Sequence, residues 1–151
     1  MMFLTPIYRV NSLEKTPYVA NSAEIFSIGD YTSGSGIRLL ADDAYNRYIV
    51  QIDGNPGAIV GVGWGSGVYH LAVVGNGLID GGRNIKLFLN GHLIGSYTYN
   101  YNLISTSFKI GGILSNIDST NLYQIIDEFR VSNIARWTSD FTPPSAPYTL
   151  D

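Results

Sequence analysis

Few side chains in this chain could do chemistry, and their spacing limits what it could be. Four of the 12 Asp and Glu residues stand as adjacent pairs, Asp42-Asp43 and Asp127-Glu128, and the histidines are His70 and His92. Hydrolysis of a glycosidic bond needs two carboxylates about 5–10 Å apart across that bond. Neighbours on a strand point to opposite faces, so neither adjacent pair can act as an acid/base couple. A nucleophilic triad would need one of the histidines. His70 lies inside the most apolar run, Val68–Val74, where a hydrogen-bonded structural role is expected, and His92 follows a tight turn and is expected in solvent. Two isolated histidines do not make a zinc site. The chain has no cysteine, which excludes disulfides, thiolate metal sites and a cysteine nucleophile. Candidate Ca²⁺ oxygens are Asp30, Asp42, Asp43, Asp53 and Asp118. Calcium takes six to eight oxygens, but no spacing motif joins these, and aspartates in turns commonly cap their own backbone. The expectation is a non-enzyme with no catalytic or metal residues and no cofactor; a calcium site and a glycoside hydrolase are the alternatives kept.

Recognition chemistry is better supplied. A sugar presents apolar faces and a rim of hydroxyls, which an aromatic platform beside amides can bind. Tyr31, Tyr45, Asn46, Trp64, Tyr99 and Tyr101 have those side chains and fall in or beside turn-rich stretches, so they are the candidate carbohydrate-binding residues. Trp64 is the sharpest of them. Glycines at 61, 63, 65 and 67 surround it and leave room for a ligand, or for a neighbouring backbone whose gap the indole would fill. The Tyr99–Asn102 stretch serves equally well as a protein interface, where tyrosine is also enriched.

The elements that must position these residues read as strands. Glu24–Gly29 alternates apolar and small polar residues, Ile37–Ala41 and Asn46–Asp53 follow, and Asp53-Gly54-Asn55-Pro56-Gly57 is a turn signal. Val68–Val74 is expected to be central, Asn76-Gly77 a loop, and Asn84–Asn90 a strand with Ile85, Leu87 and Leu89 on one face. Asn90-Gly91 is the chemistry of a two-residue hairpin turn that returns through His92–Tyr99. Thr106–Gly112 and Leu122–Val131 complete the set. Residues 1–23 read as an N-terminal arm or edge strands, because Pro6 and Pro17 interrupt Phe3–Val10 and Thr16–Ala20. Residues 24–151 form the domain. Strands about 10 residues apart, 17 glycines and 11 tyrosines, with no three-turn helix, call for an all-β, two-sheet antiparallel β-sandwich.

At 151 residues the chain can bury a core without staples. A net charge of −3 gives no basic stripe for nucleic acid. No run approaches the roughly 20 apolar residues of a membrane helix, and the Met1–Pro6 start does not read as a signal peptide. Only 14% of residues are charged, which leaves part of the surface suited to a partner, so a homo-oligomer is expected.

Tyr69-His70-Leu71-Ala72-Val73, Leu87-Phe88-Leu89-Asn90-Gly91, Lys109-Ile110-Gly111-Gly112 and Ile126-Asp127-Glu128-Phe129-Arg130-Val131 occur in that order. Over roughly residues 24–148 this set resembles the laminin-G-like (concanavalin A-like lectin/glucanase) jelly-roll domains. The tail Ala135-Arg136-Trp137 through Phe141-Thr142-Pro143-Pro144 is most similar to versions carried on phage tail and head proteins. Tyr69 stands where that family usually has tryptophan, and its usual N-terminal Phe-Thr-(apolar)-Glu-Phe-Trp strand is missing. The resemblance implies a jelly roll on a virion surface that binds cell-surface glycans, or a structural decoration or fibre domain contacting other virion proteins. The glycanases of this architecture carry Glu-x-Asp-x-x-Glu on one strand, a run this sequence lacks.

Overall fold

The computed structural model describes residues 3–4, 7–10, 22–29, 36–42, 47–52, 55–60, 67–79, 82–99, 107–111 and 124–146. Side chains are described within 24–29, 36–41, 47–51, 68–75, 84–98, 107–111 and 126–146. The described strands, in chain order, are β1 (Phe3–Leu4), β2 (Ile7–Val10), β3 (Ser22–Ile28), β4 (Ile37–Asp42), β5 (Arg47–Ile52), β6 (Asn55–Val60), β7 (Gly67–Ile79), β8 (Gly82–Leu89), β9 (His92–Tyr99), β10 (Phe108–Ile110), β11 (Gln124–Asp127) and β12 (Val131–Ser132). They make two antiparallel sheets, the all-β class that the strand spacing called for. Two compact units divide the chain. One comprises Met1–Asn11, Ser66–Asn100 and Gln124–Asp151, and the other Ser12–Gly65 with Tyr101–Tyr123.

In the first unit β7 is central, as its apolarity required. It pairs with β8 along Leu71 to Ile79 and with β2 along Gly67 to His70, and Val73 meets Leu4 of β1. Asn76-Gly77, expected as a loop, lies inside β7. The ladder with β8 steps from Asn76↔Asn84 to Leu78↔Arg83, so Gly77 is the extra residue of a bulge. β1 and β2 keep one register against β7, with Leu4 opposite Val73 and Ile7 opposite His70. On their other side they pair with β12 and β11. The prolines had suggested sheet edges for this segment. Pro6 falls between β1 and β2 and so removes no donor from either paired stretch.

The closing strand also differs from its sequence reading. Ile7 faces Asp127 and Leu4 faces Val131, so three steps along one strand meet four along the other. Glu128 takes up the extra residue with φ 54, and the Asp127 carboxylate accepts its N–H at 3.0 Å. That bulge breaks the alternation a single continuous strand would show. Asp127 and Val131 are exposed, whereas Ser132 is buried.

The second unit orders its strands β10-β3-β4-β5-β6. Phe26, Leu39 and Val50 lie in cross-strand register and are fully buried, with Ala41 and Tyr48 beside them on the same face. Ile25 is the extra residue of a bulge between Glu24↔Leu40 and Phe26↔Leu39. The opposite face carries Glu24, Ser27 and Arg38, also buried, and each has a side-chain partner close by. Ser27 Oγ donates to Glu24 Oε1 at 2.6 Å and Arg38 Nε to Gln51 Oε1 at 2.6 Å. Pro56, read as part of a turn, sits in β6, the outermost strand of this order, where a missing donor costs least.

Candidate functional site

Of the six residues expected to bind carbohydrate, Tyr31, Tyr45, Asn46, Trp64 and Tyr101 lie outside the described residues. Tyr99 is described only in its backbone, as the last residue of β9, opposite Arg83. Of the candidate calcium ligands, Asp42 is the last residue of β4, described only in its backbone, and Asp30, Asp43, Asp53 and Asp118 lie outside the described residues. Among the described residues there is no group of three or more His, Asp or Glu side chains able to hold a metal ion.

The chemistry that the described residues do bring together lies at the β8–β9 hairpin. Asn90 and Gly91 have φ 50 and 83, the left-handed pair that a type I′ turn requires and that Asn-Gly tolerates. The turn is tied to β7 twice: Asn90 N donates to the His70 carbonyl at 2.7 Å, and Asn90 Oδ1 accepts from His70 N at 2.9 Å. A segment without regular secondary structure, residues 133–146, then runs across the hairpin as a strap. Phe141 N donates to the Gly91 carbonyl at 2.9 Å, Asp140 Oδ1 accepts from Leu93 N at 2.8 Å, and Lys86 Nζ donates to the Thr138 carbonyl at 2.5 Å.

Under the strap lies an apolar patch. Ala72 stands opposite Phe88, and directly opposite residues share a sheet face; Val74 is on the same side. These three are buried, and Ala135, Trp137 and Phe141 pack against them. Trp137 and Phe141 stack, with centroids 4.1 Å apart and rings 10° from parallel. His70 meets both edge-on, at 5.6 and 5.4 Å, and Phe88 meets Phe141 at 5.5 Å. Leu71, Val73, Ile85, Leu87 and Leu89 on the opposite face are buried too. This part of the sheet is therefore covered on both sides.

Electrostatics follow from this packing. Burial removes water from His70 and pulls its pKa from 6.5 down to about 4, so the ring is neutral at physiological pH. It fills the role of a packed structural histidine. His92 and Asp140 meet at 3.2 Å, with side chains 77% and 62% exposed. The Leu93 N–H, and then His92, hold the Asp140 carboxyl below its ordinary value. A His–Asp pair is two parts of a triad, but here both Asp140 oxygens are engaged in fastening the strap to β9. Asp140 was not singled out from the sequence, because it acts across 47 residues and leaves no local spacing signal.

No protein-family model and no curated protein matches the chain, so the laminin-G-like resemblance rests on its motifs alone. Among solved structures the chain is similar to one titled as a botulinum neurotoxin type G receptor binding domain, with a TM-score of 0.61 and 15% identity. The match covers 93% of this chain and 35% of that one, so this chain spans about a third of its length. At that identity the likeness establishes the fold, a β-rich architecture found in a receptor-binding domain.

Proposed function

We propose that this chain is a non-catalytic recognition module that binds a cell-surface receptor through its glycans and is carried on a virion surface. The observation that carries the reading is the composition of its turn-rich stretches. Tyr31, Tyr45-Asn46, glycine-flanked Trp64 and the Tyr99-Asn100-Tyr101-Asn102 run supply aromatic side chains and amides, the two types that sugar faces and hydroxyls need. Two further facts support it. Both histidines sit in structural contacts at the strap, and the architecture recurs in a protein whose title describes receptor binding. The virion setting rests on the similarity of the tail to phage tail and head domains.

Binding to a broad glycan array that includes bacterial polysaccharides, lost in Trp64→Ala with folding intact, is the expected result. Silence across that array would sink the proposal, and release of reducing ends from any polysaccharide would overturn its non-catalytic part. A second reading, a structural decoration or fibre domain acting through oligomer contacts, is favoured by β10. Phe108 and Ile110 of that outermost strand are 38% and 51% exposed. Sedimentation at micromolar concentration separates the two, since a clean monomer counts against the structural role.

A further inference from the structure

We propose that residues 133–146 form a strap that acid releases from the β7–β8–β9 face, uncovering an apolar surface while the strands stay folded. This goes beyond glycan recognition and rests on different residues.

The geometry gives the strap its independence. It contains no strand, and among the described residues one backbone–backbone bond ties it to the sheet, Phe141 N to the Gly91 carbonyl. Segments with few backbone bonds to their neighbours open locally at lower cost than strands held by full ladders. β7 and β8, by contrast, share a ladder from Leu71↔Leu89 to Ile79↔Gly82. Opening would expose Ala72, Val74 and Phe88, together with Trp137 and Phe141 from the strap's own underside.

The geometry also puts a proton-sensitive group beneath the strap and another on it. His70 is 5% exposed and lies against the edges of Trp137 and Phe141, so a charge on its ring has no water while the strap is closed. Among the described residues, the ionisable groups that meet the strap are His70 from β7, Lys86 from β8 and His92 from β9, and the strap itself carries Arg136 and Asp140. Lys86 and His92 grip the strap through Thr138 and Asp140.

The sign follows from the direction of each shift. The closed-state value of His70 lies below its free value, so closure is fully favoured above pH 6.5 and is eroded as pH falls towards about 4. Across the whole titration the opening equilibrium rises by at most roughly 300-fold, the ratio set by the two values, and about half of that factor is reached by pH 4. Asp140 is also lowered, so its hold on Leu93 and His92 is lost only in stronger acid and adds to the same direction.

The chain has two tryptophans, so Trp64→Phe leaves Trp137 as sole reporter. Its emission and the far-UV circular dichroism of that variant are followed from pH 7 to about pH 3.5. The expected result is a reversible red shift of Trp137 between pH 6.5 and 4 with unchanged circular dichroism, and a lower midpoint when His70→Phe is added. Should His70→Phe fail to fold, amide-exchange protection in the unaltered chain gives the readout. Protection of the Phe141 amide falls with acid while Leu71 and Leu89 keep theirs. A Trp137 shift that coincides with loss of circular dichroism overturns the proposal. So does a midpoint unmoved by His70→Phe, or an equal loss of protection at all three amides.

Discussion

Gly91→Ala tests whether the strap depends on the hairpin turn. Gly91 is buried, with φ 83, and a methyl group there would clash with the Phe141 carbonyl oxygen and lie 3.0 Å from Pro143 Cδ. The obstructing atoms are backbone and a ring, so the clash is relieved only when the strap itself shifts. Three terms add. Holding alanine in the left-handed region costs about 1 kcal/mol. Displacing Phe141 breaks its bond to the Gly91 carbonyl, about 1 kcal/mol. Partial exposure of Phe141 and Trp137 forfeits about 1.5–3 kcal/mol, the value of burying one large side chain. Gly91→Ala should therefore destabilise by about 3–5 kcal/mol. Gly111 is the control, because its φ is 71 but a Cβ there would meet nothing within 4 Å. Gly111→Ala should cost only the conformational term, about 1 kcal/mol, and it retains the bond from its N–H to the Ile25 carbonyl. Urea denaturation of both variants beside the parent, followed by circular dichroism and Trp137 fluorescence, gives the comparison. Losses equal within about 1 kcal/mol would refute the claim that the strap is seated on this glycine.

Asn90→Ala should destabilise by about 2–3 kcal/mol in the same assay, since it adds left-handed strain to the loss of the acceptor for His70 N. Asn90→Gly, which keeps the turn and loses only the acceptor, should cost about 1 kcal/mol less. Asp140→Asn keeps an oxygen for Leu93 N and loses the charge beside His92. The Asp140 pKa lies below 3.8 in the folded chain, so its contribution is present above that value and lost as pH falls further. The thermal-midpoint gap between parent and Asp140→Asn should accordingly shrink from pH 7 to pH 2.5, and a constant gap would contradict the assignment.

What the sequence made legible is what local chemistry decides. The apolarity of Val68–Val74 identifies the central strand, and Asn90-Gly91 identifies the hairpin, because both signals are complete within a few residues. Tertiary context reversed other local signals. Asn76-Gly77 has turn chemistry, yet Gly77 is absorbed as a bulge within β7. Glu128 adopts φ 54 although glutamate has no preference for it, so the broken register at Asp127–Val131 left no trace in the pattern. The burial of Phe88 on the face opposite Leu87 depends on Trp137 and Phe141, about 50 residues along the chain, which no periodicity in β8 can report. Of the expected recognition residues, only the backbone of Tyr99 is among those described. Their grouping is thus a matter of sequence composition, and the site legible in three dimensions is the strap contact at His70, Asn90, Gly91 and Asp140.

The central claim, recognition of a glycan by the aromatic loops, is tested most directly by ¹H–¹⁵N chemical-shift mapping. The isotope-labelled chain would be titrated with the saccharide that binds it best on an array. The account predicts saturable shifts at Tyr31, Tyr45, Asn46, Trp64, Tyr99 and Tyr101, with the amides of β7 and of Phe141 unmoved. Shifts confined to the strap and hairpin, or none at saturating saccharide, would contradict it.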